Sequence, residues 1–240
     1  MISEYKIMNP DLSLTKPYPF TRLRALLSDS KLPDGIKHMS LSIGEPKHAA
    51  PEAVIRALFD SSKLFEKYPA TTGALELRTA ISDWIFRRYG VKTDPLTQIL
   101  PTNGSREALF SFTQAYIDRT KSPFVILPCP FYQIYEGASL MAGATPYYCP
   151  QTAENNFAMD LDSVPEEVLR NTQLVFVCSP SNPTGKVLNL EDWKKLFSYS
   201  DKYGFVIGSD ECYSEIYFDE ERPPLGALEV AKLLGRDNFE

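Results

Sequence analysis

Leu174-Val-Phe-Val-Cys178-Ser-Pro-Ser-Asn-Pro-Thr-Gly185, then Glu191 to Tyr203, then Phe205-Val-Ile-Gly208-Ser-Asp-Glu-Cys-Tyr213, read in order as strand, loop, helix, strand and loop. Each apolar run is short and is bounded by Gly, Pro, Ser and Asn, which marks a strand rather than a buried helix. Two strands with a helix between them make a parallel βαβ unit. The same alternation runs upstream. Gln98 to Pro101 reads as a strand, and Ser105 to Arg119 as a helix with Ala108, Leu109, Phe112 and Tyr116 on one face. Phe124 to Leu127 is a strand, Tyr132 to Met141 a helix and Thr145 to Cys149 a strand. The expected fold class is therefore α/β: a three-layer, doubly wound, mostly parallel sheet with helices on both faces.

Before Pro95 the chain reads differently. Phe20 to Lys31 looks helical and Pro33-Asp34-Gly35 ends it, with a short strand candidate at Met39 to Ile43. Pro51 suits the first turn of a second helix, where its missing N–H is not needed. Leu77, Ile81, Trp84 and Ile85 fall at i, i+4, i+7 and i+8 of a helix over Gly73 to Tyr89 that Gly90 can cap. The expected division is residues 1–50 as an N-terminal arm with part of a small domain, and 51–240 as the large domain.

The chain has 240 residues, 43% hydrophobic and 23% charged, which is a folded globular composition. Lys and Arg number 25 against 31 Asp and Glu, a formal net charge of −6 that supplies no field for nucleic acid or anionic lipid. Cys129, Cys149, Cys178 and Cys212 include no CxxC pair, and neither His38 nor His48 is near a Cys. Free thiols, no metal and a cytoplasmic location are the expectations. Residues 1–19 carry charges and no apolar core, so they do not read as a signal peptide, and no apolar run approaches the ~18 residues of a membrane span.

In an open parallel sheet a ligand sits outside the carboxyl ends of the strands. Four strand ends here carry polar or aromatic groups. Thr102-Asn-Gly-Ser-Arg106 opens a helix and offers backbone N–H groups, a hydroxyl and a guanidinium to a phosphate; an ordinary capped turn reads the same way. Pro128-Cys-Pro-Phe-Tyr132 holds aromatic rings that can stack on a planar ligand or belong to the core. Ser179-Pro-Ser-Asn-Pro-Thr-Gly185 fixes an Asn between two prolines, where it can also bond its own backbone. Gly208-Ser-Asp-Glu-Cys-Tyr213 puts an acid at the edge of a buried strand, where it needs a partner. That partner is either an Arg or a cationic ring nitrogen. The four together, in this order, fit pyridoxal phosphate (PLP), with the acid holding the pyridine nitrogen protonated.

The same residues resemble the class I aminotransferases of PLP fold type I. The resemblance runs through Lys16-Pro-Tyr-Pro-Phe20, Ser42-Ile-Gly-Glu-Pro46, Tyr68-Pro69, Gly73, Leu77-Arg78, Asn103-Gly-Ser-Arg-Glu107, Ser179 to Gly185 and Asp210-Glu-Cys-Tyr213. Several of these strings are most similar to the N-succinyldiaminopimelate branch of bacterial lysine biosynthesis. The resemblance implies that Gly104, Ser105 and Arg106 hold the phosphate and that Tyr132 stacks on the ring. It implies that Asn182 and Tyr213 bond the ring's 3-oxygen and that Asp210 bonds its nitrogen. Gly44, with Asn182, would face the substrate, and Tyr68 would reach the phosphate of a neighbouring subunit in a homodimer. The implied reaction passes an amino group between an amino acid and a 2-oxo acid, N-succinyl-LL-diaminopimelate with 2-oxoglutarate. Other fold type I enzymes, an aspartate or alanine aminotransferase or a C–S β-lyase, share these loops, and so would a non-catalytic remnant.

In that family the lysine that forms the Schiff base follows the Asp-Glu-x-Tyr region. The only lysine after Tyr213 is Lys232, in what reads as the solvated side of a helix, and Lys31 in Ser28-Asp-Ser-Lys31 precedes the sheet. The expectation is an N-terminal portion of the large domain without that lysine, inactive by itself, with no catalytic residue to assign.

Overall fold

The computed structural model describes residues 9–39, 41, 43 and 48–236. The chain divides into two compact units, Lys16–Thr71 and the combination of Met1–Thr15 with Thr72–Glu240.

The smaller unit holds α1 (Pro19–Leu27), α2 (Glu52–Asp60) and a 3-10 turn at Ser62–Glu66. Helix α1 stops short of Lys31 because both the N–H and the hydroxyl of Ser28 bond back to the Ala25 carbonyl, which tightens and closes the last turn. Pro51 stands just before α2 as its cap residue rather than inside its first turn. Every described residue of this unit is exposed. The strand expected over Met39 to Ile43 is not found: Met39, Leu41 and Ile43 are not in a strand, and Ser40 and Ser42 lie outside the described residues.

The larger unit contains α3 (Leu75–Tyr89), α4 (Ser105–Tyr116), β1 (Phe124–Cys129), α5 (Gln133–Met141), β2 (Thr145–Pro150), α6 (Glu166–Arg170), β3 (Thr172–Cys178), α7 (Leu190–Tyr203), β4 (Val206–Asp210) and α8 (Ala227–Leu233). The four strands form one parallel sheet in the order β2-β1-β3-β4. Alternation along each strand sends residues to opposite faces. Val125, Leu127, Leu174 and Phe176 pack with Tyr135 of α5 and Leu109 of α4 on one face. Ile126, Val175 and Val177 pack with α6, α7 and α8 through Val168, Leu169, Trp193, Leu196 and Val230 on the other. The fold is the doubly wound three-layer α/β arrangement that the strand–helix alternation predicts.

Gln98 to Pro101 is not a strand. Asp94 gathers the backbone there into a local turn: its carboxylate accepts from the Leu96 N–H and the Thr97 hydroxyl, and its carbonyl accepts from the Gln98 N–H. Backbone groups used locally cannot join a ladder. Between β2 and β3, 3-10 turns at Ala153–Asn155 and Leu161–Ser163 precede α6. Each is too short to show a period, so none is legible from the sequence.

A third cluster joins α3 to α8 through Ile85, Tyr89 and Leu228. Arg88 crosses this layer, bonding the Glu215 carboxylate and the carbonyls of Ser214 and Pro224. Glu211 accepts from the Tyr89 hydroxyl at 3.1 Å, the Ser209 hydroxyl at 2.7 Å and the Ala227 N–H at 2.8 Å. Burial pushes the Tyr89 phenol up to about 12, so it remains a donor. Gly226 has no room for a side chain, because a Cβ would lie 2.6 Å from Glu211 Oε2 and 2.7 Å from Tyr89 Cε1. Gly226→Ala is expected to cost about 1–3 kcal/mol through overpacking. Urea unfolding checks this, and an unchanged midpoint would refute the close approach.

Candidate active site

Asp210 ends β4, and Gly208 and Asp210 share the face on which Phe176 lies. Its side chain is only 7% exposed. Oδ2 accepts a 2.6 Å hydrogen bond from the Tyr135 hydroxyl, while Oδ1 receives only a long 3.4 Å contact from the Cys212 N–H. Among the described residues no basic side chain pairs with it. The Arg salt bridge that the sequence left open is thus not found there, and an acceptor-rich carboxylate stands at the strand end without a cation. Burial, then the Asp210 charge and the hydrogen bond to it, push the Tyr135 phenol far up, so it donates at any working pH.

Cys178 pairs with Asp210 in the sheet register and Cys212 follows it by two residues. Burial, then the Asp210 charge, pushes the Cys212 thiol up to about 12 although the residue is exposed. A raised thiol pKa delays the reactive thiolate. Alkylation of Cys212 by iodoacetamide is therefore expected to climb about tenfold per pH unit past the ordinary thiol value of 9, as followed by peptide mass spectrometry. A plateau near pH 9 would contradict it.

The loop after β3 brings Asn182 to Tyr213, with Asn182 Nδ2 donating to the Tyr213 hydroxyl at 3.1 Å. The loop is tied to itself by Ser181 N–H to the Lys186 carbonyl and Gly185 N–H to the Ser181 carbonyl. Lys186 in turn pairs with Asp192 at 3.0 Å, at the capped start of α7. Two side chains that are 31 residues apart in sequence thereby present adjacent polar atoms.

Helix α4 begins directly after Gly104, whose φ of 114° suits glycine and whose Cβ position is open space. No side chain caps this end. The positive end of the helix is thus exposed to an anion, beside Ser105 and Arg106. Arg106 donates from Nε to the Tyr132 hydroxyl at 2.9 Å, so the phosphate-type turn and the aromatic residue after β1 are joined. Tyr132 also meets Tyr135 edge-on at 5.9 Å.

Asp210, Tyr213 and Asn182 thus meet at one end of the sheet, and Arg106 and Tyr132 meet beside Tyr135. Gly44 lies outside the described residues, and Tyr68 is fully exposed in the smaller unit. Lys31 is exposed, and Lys232 donates to the Gly90 carbonyl at 2.7 Å, closing the end of α3. Tyr135 was not legible as a site residue. Its place three residues after Tyr132 was visible, but its partner Asp210 is 75 positions away.

Residues 36–238 match the family described as aminotransferase class I and II. This chain belongs to the class I and II aminotransferases. It is 35% identical to the LL-diaminopimelate aminotransferase of Aquifex aeolicus over 227 residues, 92% of this chain and 58% of that protein. It is 36% identical to that of Desulforudis audaxviator over 217 residues, 90% of this chain and 54% of the relative. An aminotransferase structure from Neisseria meningitidis superposes with a TM-score of 0.91 at 49% identity, covering 95% of this chain and 58% of that one. The aminotransferase AspB of Helicobacter pylori gives 0.86 at 36% identity, with 94% and 58% covered. The chain therefore spans between 54% and 58% of the length of these relatives.

Aminotransferases of this family depend on PLP, and the geometry fits that group. A planar cationic ring needs a carboxylate at its nitrogen, and Asp210 has an under-bonded oxygen. A phosphate needs an uncapped helix start, which α4 provides. A phenolate oxygen needs donors, which Asn182 and Tyr213 supply.

Proposed function

We propose that this chain binds PLP at the carboxyl ends of β1, β3 and β4 and serves amino-group transfer between an amino acid and a 2-oxo acid. The observation that carries the reading is Asp210: a buried carboxylate, bonded at 2.6 Å on one oxygen and only at 3.4 Å on the other, with no basic partner among the described residues. Bound there, the cofactor supplies a protonated ring that draws electrons from the carbon bearing the substrate's amine.

Each residue then has a physical task. Asp210 keeps the ring nitrogen's proton by charge. Asn182 and Tyr213 turn their polar atoms to the 3-oxygen and set the ring's tilt. Gly104, Ser105 and Arg106, at the positive start of α4, neutralise the phosphate, and Tyr132, tethered by Arg106, supplies a flat wall for the ring. By the family resemblance Gly44 faces the substrate carboxylate and Tyr68 reaches a second subunit's phosphate in a homodimer.

For the substrate we propose the diaminopimelate skeleton with 2-oxoglutarate as amino acceptor. The relatives' names support diaminopimelate itself, and the Lys16-Pro-Tyr-Pro-Phe20 and Asn103-Gly-Ser-Arg-Glu107 strings support its N-succinylated form. The test has two parts. Titration of the chain with PLP, followed by Trp and Tyr fluorescence, is expected to saturate at one per chain. Binding of free and N-succinylated LL-diaminopimelate to the PLP-loaded chain is then compared with that of aspartate and alanine by the same fluorescence. Failure to bind PLP overturns the cofactor reading, and preference for aspartate or alanine overturns the substrate reading.

A further inference from the structure

We propose that Tyr135 is a positioning residue for the cofactor: its hydroxyl fixes one oxygen of Asp210 so that the other is presented to the ring nitrogen. This rests on reading the site as a PLP site and adds to it a residue whose effect runs through Asp210.

The geometry leaves Tyr135 little freedom. It lies in the first turn of α5, is 1% exposed, and its ring stacks on Phe176 at 4.6 Å with planes 12° apart. Tyr132 meets it edge-on, with ring centroids 5.9 Å apart. A ring that is buried, stacked on one aromatic neighbour and in edge contact with another has little room to swing its hydroxyl elsewhere, and that hydroxyl ends 2.6 Å from Asp210 Oδ2. An aspartate's terminal torsion is otherwise broad, so a carboxylate without such a bond samples many orientations. Here Oδ2 carries the short bond, and Oδ1 only the long 3.4 Å one from the Cys212 N–H.

The chemistry of the donor matters as much as its position. An Arg or Lys at this place would also orient the carboxylate, but would neutralise it and compete with the cationic ring. A phenol donates without bringing a charge, so the full negative charge remains for the nitrogen. The other groups flanking Asp210, the thiols of Cys178 and Cys212, are held neutral as well, since burial raises both. The carboxylate is thus oriented entirely by uncharged groups.

The test compares two ligands, PLP and its 1-deaza analogue, in which C–H replaces the ring nitrogen. They share phosphate, 3-hydroxyl and ring face, so the ratio of their affinities isolates the contact through Asp210. The wild-type chain is expected to prefer PLP by about a hundredfold, the worth of one charge-assisted hydrogen bond at a buried carboxylate. In Tyr135→Phe, which removes a single oxygen, that ratio is expected to fall several-fold while affinity for the deaza analogue stays unchanged. A variant in which both affinities drop together and the ratio persists would show a merely structural role and overturn the proposal. A wild-type chain that binds both ligands equally, or neither, overturns the cofactor reading itself, and this proposal with it. Circular dichroism confirms folding of the variant. Should it not fold, 3-fluorotyrosine at position 135, a stronger donor of nearly the same shape, is expected to raise the wild-type ratio by about twofold. An unchanged ratio would overturn the proposal.

Discussion

Asp210→Ala is expected to weaken PLP binding by about a hundredfold, since it removes a charged hydrogen-bond partner held at a buried strand end. The carboxylate is 7% exposed, and among the described residues nothing else there is anionic and aimed at the same place. The effect on folding is smaller because two changes oppose each other. Loss of the acceptor strands the buried Tyr135 hydroxyl, at about 1–3 kcal/mol. Loss of a buried charge removes its desolvation cost. A variant that folds yet binds PLP poorly is the outcome expected from fluorescence titration alongside circular dichroism. Unchanged affinity would mean that the ring nitrogen does not meet Asp210.

The largest effect on stability is expected from Phe176→Ala, at about 3–5 kcal/mol. Phe176 is fully buried in the middle of β3, stacked under Tyr135. A Cβ placed on Gly208 of the neighbouring strand would stand 2.9 Å from its ring. The glycine therefore exists to admit the ring, and a shorter side chain would leave a void that rigid strands on either side cannot close. Urea unfolding is the measurement, with the midpoint falling at unchanged slope. A loss below about 1 kcal/mol would show that the site collapses instead. The same cavity lies directly beneath Tyr135, so affinity for PLP is expected to fall together with stability.

Much of this arrangement is legible in the residues themselves. Strands β1 to β4 and helices α5 and α7 announce themselves by apolar runs, helical periods and turn residues, while α6 does not. Asn182, Tyr213 and Asp210 are legible because their positions follow strand ends, where an open parallel sheet collects ligands. Gln98 to Pro101 misleads, since its apolar residues suit a strand while Asp94, four positions upstream of Gln98, draws the Leu96, Thr97 and Gln98 groups into a turn that runs into it. Tyr135 reads as one more apolar position on α5, and only the folded sheet shows what its hydroxyl meets. Arg106 reads as a phosphate ligand, while its bond to Tyr132 depends on two loops that approach in space.

Glu211 follows Asp210 by one residue and turns to the opposite side, where it gathers Tyr89 and the start of α8. One peptide unit therefore joins the Asp210 carboxylate to the packing of two helices. The consequence is cooperativity: the end of β4 cannot loosen without releasing α3 and α8, and those helices cannot part without moving Asp210. On the proposed reading of the site, cofactor affinity and the integrity of that outer layer are linked, so bound PLP is expected to slow the opening of helices it never touches.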